Sequence, residues 1–351
     1  MSDEVTTTGK SFLTPFNIVA GLIVLIGLYV TVIRFTKGLG AVTNLSDYNP
    51  WGIWIGFDLL VGVALAAGGF VTSAAVYIFG MKKYHSAVRP AILTGFLGYA
   101  MVVVAMNYDV GRPWRLPYPF IMQQGTTSLL FEVAACVALY LSVLFLEFSP
   151  AALEWLGLKK LRNILIKLTL LLTIFGVVLS TLHQSSLGAL FLIAPSKLHP
   201  LWYSPYLAVF FFVSAVIAGL SMVIFESTLS HRYFADKMDE THLKEKDDIA
   251  LGFGKAAALV LAGYFIIKVI GISEGNNWHL LGTPYGLWFL VELLGFVALP
   301  CFLLPSSERY FPHWMEIAIS VFLVTLLLVI FRFICTRMPI MYSHPDYPDE
   351  H

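Results

Sequence analysis

Six ionisable side chains stand where an otherwise apolar chain should not tolerate them. Asp58, Glu132, Glu292, Asp109, Arg112 and His183 interrupt or border long runs of Leu, Ile, Val and Phe. A charge inside such a run is costly and marks function by default. In WGIWIGFD, Trp51, Trp54 and Asp58 recur at i, i+3 and i+7, so two indoles and a carboxylate share one helix face. The tryptophans also suit an interfacial aromatic belt; Asp58 does not. In NYDVGRPWRLP the Gly permits a tight turn and the Pro stops a helix. Asp109 and Arg112 then share an ordered turn, either as reacting groups or as a structural ion pair. In TLHQSSLGALF the helical pattern gives way after Leu182 and resumes as a piece too short to span. The expectation is a break that sets His183 and Gln184 at membrane depth, lining a cavity.

This inventory suits one kind of chemistry. Oxidising a quinol requires an acceptor for each of two protons and a donor to hold the ring oxygens, inside a pocket that is otherwise apolar. His183 with a neighbouring carboxylate supplies the first, while Trp51, Trp54, Arg112 and Gln184 supply the second. Glu147 and Glu226, at the opposite ends of the fourth and sixth apolar runs, are candidates for passing protons across, together with Glu292. No redox centre is evident in the chain itself. Cys136, Cys301 and Cys335 stand singly with no paired ligand motif, so neither a disulfide framework nor a metal site is expected. Haem of the b type needs histidines facing each other within spans, and His183 alone lies at depth, so no haem is expected. Electrons must then reach a partner protein.

The elements that position these residues follow from composition. Of 351 residues, 58% are apolar and only 13% are charged, about half the roughly 25% of soluble domains. A water-soluble globule is excluded. Lys plus Arg and Asp plus Glu number 22 each, so no net field recruits nucleic acid. A window of about 19 residues predicts nine spans, near 16–34, 53–80, 91–107, 127–147, 164–183, 205–227, 250–272, 286–304 and 315–335. Runs of this length cross as helices, not as barrel strands. The chain thus divides into an N-terminal tail (1–15), an all-α polytopic domain (16–335) with one sizeable polar loop (228–249), and a C-terminal tail (336–351). The first apolar run lacks a small-x-small cleavage site and is longer than a signal peptide's core, so it is expected to stay as a span. A cytoplasmic N-terminus places 14 of the 22 basic residues inside, as the positive-inside rule prefers. The costly groups named above then gather toward the outer leaflet.

Seven separated motifs, WGIWIGFDLL, DVGRPWRLPY, LLFEVAAC, TLHQSSLGAL, HPLW, VIFES and YFPHW, together resemble the NrfD-type family of membrane subunits, the polysulfide reductase membrane subunits. The likeness is nearest to the b-type membrane subunits of nickel–iron hydrogenases. It implies two packed four-helix bundles with extra spans and a menaquinone or ubiquinone pocket near the outer face. It also implies a periplasmic ferredoxin-like iron–sulfur partner and, through it, a hydrogenase or another catalytic subunit, in a bacterial or archaeal inner membrane. The resemblance makes Asp109 and His183 the quinone-facing proton pair, with Asp58, Glu132 and Arg112 nearby. One departure stands out: such proteins have eight or ten spans, whereas here the short link 305–312 leads straight into the last, leaving nine, or ten if a segment is missing. Two other readings of the intramembrane acids are a proton- or cation-coupled transporter and a passive anchor. A transporter should show inverted repeats, and none is visible.

Overall fold

The computed structural model describes residues 15–45, 52, 56–122, 124–234 and 240–301. All regular structure among them is helical. Eight helices are long and apolar enough to cross a bilayer: α1 (Pro15–Lys37), α2 (Leu59–Ile78), α3 (His85–Asp109), α4 (Leu129–Trp155), α5 (Lys159–Leu192), α6 (Leu207–Phe234), α7 (Glu240–Glu274) and α8 (Pro284–Cys301). They coincide with the first eight spans expected from hydropathy. The ninth, 315–335, falls outside the described residues. Apolar side chains cover these helices on the outside too; on α4 and α5, Leu139, Phe145, Leu170 and Phe175 are all more than half exposed. Such surfaces require acyl chains as solvent, so the chain is a multi-pass membrane protein.

Two helices depart from regular α geometry. In α2 the backbone is π-helical over Gly56–Gly62 and Ala74–Ile78, and in α8 over Val291–Ala298. Each π turn inserts a residue and re-aims the side chains around it, which is why such turns concentrate at functional positions. Glu292 lies in one of them.

The described helices fall into two compact units. The first holds α1 with the end of α3 and the turn after it, 106–116. Here α1 is apolar nearly all round and mostly exposed, but Arg34 is buried at 3% exposure. Its guanidinium donates to the backbone carbonyls of Asn107, Tyr108 and Val110, at 3.3, 3.0 and 2.6 Å. These bonds fall at the C-terminal end of α3, where carbonyls lack helical partners.

The second unit is built around α2, its most buried helix. Small residues let neighbours approach it closely. A Cβ added to Gly219 of α6 would lie 2.5 Å from the backbone nitrogen of Gly68, and one on Gly95 of α3 would lie 3.2 Å from the carbonyl of Ala66. Beside it, α5 and α6 meet where a Cβ on Gly188 would stand 2.5 Å from the carbonyl of Leu207. Only glycine fits at such a crossing. The polar stretch 228–249 extends α6 to Phe234 and opens α7 at Glu240.

One expectation is corrected. The helix is not broken at His183: α5 runs unbroken for 34 residues, Lys159–Leu192. The polar run HQSS remains helical, with His183, Gln184 and Ser186 buried alongside Thr173, Gly176, Ser180 and Leu187 on the inner side of the helix and Ser185 only partly buried. They sit at depth on an intact helix packed against α4 and α6.

Candidate functional site

His183 has no exposed surface at all. Its Nδ1 lies 2.8 Å from the carbonyl of Leu179, one turn back in α5. A carbonyl only accepts, so Nδ1 carries the hydrogen and Nε2 is left as the acceptor of the neutral ring. The hydroxyl of Tyr99, from α3, fills that position at 2.6 Å. The Tyr99 ring stands edge-on to both His183 and Tyr140 of α4, at centroid distances of 5.6 and 4.7 Å. Three helices thus contribute one phenol–imidazole dyad and a second phenol packed against it.

Around the dyad lie polar atoms that nothing among the described residues satisfies. The Ser180 hydroxyl and both amide atoms of Gln184 are buried with no hydrogen-bond partner, and the Tyr140 hydroxyl lies close to the backbone of Phe70 without good bonding geometry. Ser180 and Gln184 lie close to the Tyr99 hydroxyl but outside good bonding geometry. Each such group costs about 1–3 kcal/mol if left bare, so the cluster calls for polar partners, from water or from a ligand.

A polar lane leads away from this cluster. Along α4, Glu147 lies two turns beyond Tyr140, and its Oε1 accepts from the Thr173 hydroxyl at 2.9 Å. Thr173 in turn lies two turns before Ser180 on the buried stripe of α5. Between them, Tyr140 packs against Gly176, whose Cβ position is 3.3 Å from the ring. Glu226 of α6 is held separately, accepting from Thr94 of α3 at 2.5 Å.

Glu292 belongs to a different cluster. Its Oε2 accepts from the Trp202 indole at 2.6 Å, and Lys268 of α7 stands 3.8 Å from its Oε1. The ammonium is ringed by Phe210, Phe289 and Tyr264, with centroids at 4.8, 5.4 and 5.7 Å. Trp202 comes from the connection between α5 and α6. The same connection is tied to the end of α7, where Tyr206 donates to Glu274 at 2.9 Å. That carboxylate holds the Tyr206 phenol above its ordinary pKa.

The remaining expected residues are placed as follows. Trp51 and Trp54 fall outside the described residues, as does the side chain of Asp58. Glu132 is half-buried in the first turn of α4. Asp109 is buried at the last residue of α3, in the first unit, while Arg112 on the turn after it is exposed. The guanidinium found at this helix end is that of Arg34. Tyr99, Tyr140, Lys268 and Arg34 were not anticipated. The available signal was a hydroxyl or a charge inside an apolar run, since each must find a partner there.

With this architecture, the chain belongs to the family described as Polysulphide reductase, NrfD, which matches residues 41–342. A protein of Nitratidesulfovibrio vulgaris is 63% identical over 383 aligned positions, covering 98% of this chain and 99% of its own. The alignment is longer than this chain, so that relative carries internal residues that are lacking here. The "Probable Ni/Fe-hydrogenase 2 b-type cytochrome subunit" of Escherichia coli is 40% identical over 65% of this chain and 59% of its own length. The "Menaquinone reductase, integral membrane subunit" of N. vulgaris is 31% identical over 69% of this chain and 58% of its own. This chain therefore spans under two thirds of both of these named relatives.

The hydrogenase relative corrects the haem expectation. Its name, a b-type cytochrome subunit, implies haem, so a haem-free chain no longer follows from counting histidines. As for fit, both ring nitrogens of His183 are engaged, by Tyr99 and Leu179, and His183 is the one fully buried histidine among the described residues. That arrangement offers no pair of free imidazoles facing each other, and no step below runs through haem.

Proposed function

We propose that this chain is the quinone-reactive membrane subunit of a respiratory oxidoreductase, exchanging two electrons and two protons with menaquinone or ubiquinone. The observation that carries this reading is the buried Tyr99–His183 dyad, with the Tyr140 ring packed against it and the unsatisfied polar atoms of Ser180 and Gln184 beside it, within an apolar bundle. Such atoms are the chemical complement of the oxygens of a quinone ring and the water beside them, set among apolar side chains. The menaquinone reductase relative supports the substrate class.

Quinol oxidation releases two protons and two electrons, and the reverse consumes them. The electrons go to an iron–sulfur partner on the periplasmic side, and the hydrogenase relative favours a nickel–iron hydrogenase beyond it. The protons fall to this chain. Tyr99 donates its hydroxyl hydrogen to His183 Nε2 while its oxygen accepts the incoming proton, so the dyad takes up one proton without building a lasting charge on the phenol. Asp109 is the acceptor of the second. Asp58, Glu132 and Arg112 are kept as further site residues, and Trp51 and Trp54 as ring-binding residues, on their motifs alone. Tyr140, Ser180, Thr173 and Glu147 form the way inward, with Glu226 as a second inner acid, so proton translocation is part of the reading. Positive charge inside puts the N-terminus in the cytoplasm of a bacterial or archaeal inner membrane.

Photo-crosslinking tests the site. An azido-naphthoquinone is expected to label the α5 peptide carrying Ser180 and Gln184, with labelling suppressed by excess menaquinone. Competable labelling confined to other helices sinks the proposal.

A further inference from the structure

We propose that Arg34 is a positioning residue for Asp109, through which α1 sets the geometry of the proton-accepting carboxylate. The proposal rests on the role given to Asp109 above. Arg34 is 3% exposed on a helix whose other faces are apolar and open. Its Nη2 donates to the carbonyls of Val110 and Asn107, at 2.6 and 3.3 Å, and its Nε to that of Tyr108 at 3.0 Å. These carbonyls bracket residue 109 on both sides. They carry the negative end of the α3 dipole, and a cation there stabilises the helix terminus.

The same helix face reinforces the clamp. Phe35 packs edge-on against Tyr108 at 5.3 Å, and the Thr31 hydroxyl reaches the Tyr108 hydroxyl at 3.5 Å. With the peptides around Asp109 fixed, its carboxylate keeps only side-chain rotations. A planar guanidinium suits several carbonyls at once, whereas an ammonium supplies a point charge of similar sign but no fork. A residue that only stabilised the helix end would change how much complex assembles. A positioning residue changes turnover per assembled complex.

The test uses the whole membrane complex, purified through a tag on this chain, with reduced viologen as electron source and menadione as the quinone probe. R34Q is expected to lower kcat about tenfold to a hundredfold with KM within about twofold, and R34K to recover part of the loss. D109N is assayed in parallel, and R34Q/D109N is expected to be no slower than D109N alone, since both act through one carboxylate. Full turnover per complex in R34Q, or a double variant slower by the product of the two single effects, overturns the proposal. If R34Q does not assemble, R34K decides: reduced kcat at unchanged KM supports it, and full turnover overturns it. If D109N keeps full turnover, the role of Asp109 itself fails, whatever Arg34 does.

Discussion

The two buried polar clusters of the second unit are built on opposite rules. Around Glu292 the groups are charged and mutually engaged, with both carboxylate oxygens occupied by Trp202 and Lys268. Around His183 they are neutral, and the hydroxyl of Ser180 and the amide of Gln184 are left without partners among the described residues. Burying a charge is tolerable only when it is paired, and a buried neutral group without a partner is a cost that structure alone does not justify. The first cluster reads as a tie that fixes the α5–α6 connection against α7 and α8. The second is the cluster proposed above to meet a quinone. We propose that Glu292, which its sequence position ranks with the proton-handling acids, serves this tie rather than the proton path.

That contrast is open to direct attack. Glu292→Ala leaves Lys268 buried without its carboxylate, and breaking a buried pair in this way costs about 3–5 kcal/mol. Thermal stability and yield of extracted complex should collapse, while turnover per surviving complex stays within about twofold. Replacing both partners, in K268M/E292L, should restore part of the stability, because the buried ammonium goes with the carboxylate while the Trp202 indole still loses this acceptor. If E292A instead assembles normally and loses turnover, Glu292 belongs to the reaction and the contrast is wrong.

A smaller effect is expected from Tyr99→Phe, which keeps the ring packing and removes the hydroxyl that donates to His183. Quinone-linked kcat should fall roughly tenfold to a hundredfold, with assembly intact, since a positioned acid–base group contributes about a hundredfold or more and His183 keeps part of that role. The sharpest test of the contrast is smaller still. Gln184→Leu removes two unsatisfied buried atoms, so it should leave the complex as stable or up to about 1 kcal/mol more stable while turnover falls. A melting curve and a turnover assay on the same preparation read both signs. A marked loss of stability in Gln184→Leu would mean that the amide is already satisfied within the bundle.

The architecture was legible because apolar runs about 20 residues long have one physical outcome in lipid, and eight of the nine expected spans coincide with helices. The short link 305–312 and the span after it lie beyond the described residues. The site was legible at His183 and Gln184 but misread in form. The polar run after Leu182 looked like a helix break because its residues are poor lipid-facing side chains, yet they are good neighbours for the buried hydroxyls of α3 and α4. Tyr99 and Tyr140 escaped notice because a tyrosine in an apolar run counts as apolar until its hydroxyl must be placed. Arg34 and Lys268 stand in none of the seven motifs. Pairing across helices distant in the chain decides what such charges do, and no local pattern encodes it. The haem expectation was drawn from histidine positions alone, and the name of the hydrogenase relative corrects it.

The central claim is that the Tyr99–His183 dyad handles protons for a quinone. Its most direct test is His183→Ala in the intact complex, with two activities read on one preparation: viologen oxidation coupled to menadione, and viologen exchange with the partner subunits alone. The account predicts that the quinone-linked rate falls at least about a hundredfold while the partner activity is unchanged. A quinone-linked rate that survives at the level of the unmodified complex contradicts it.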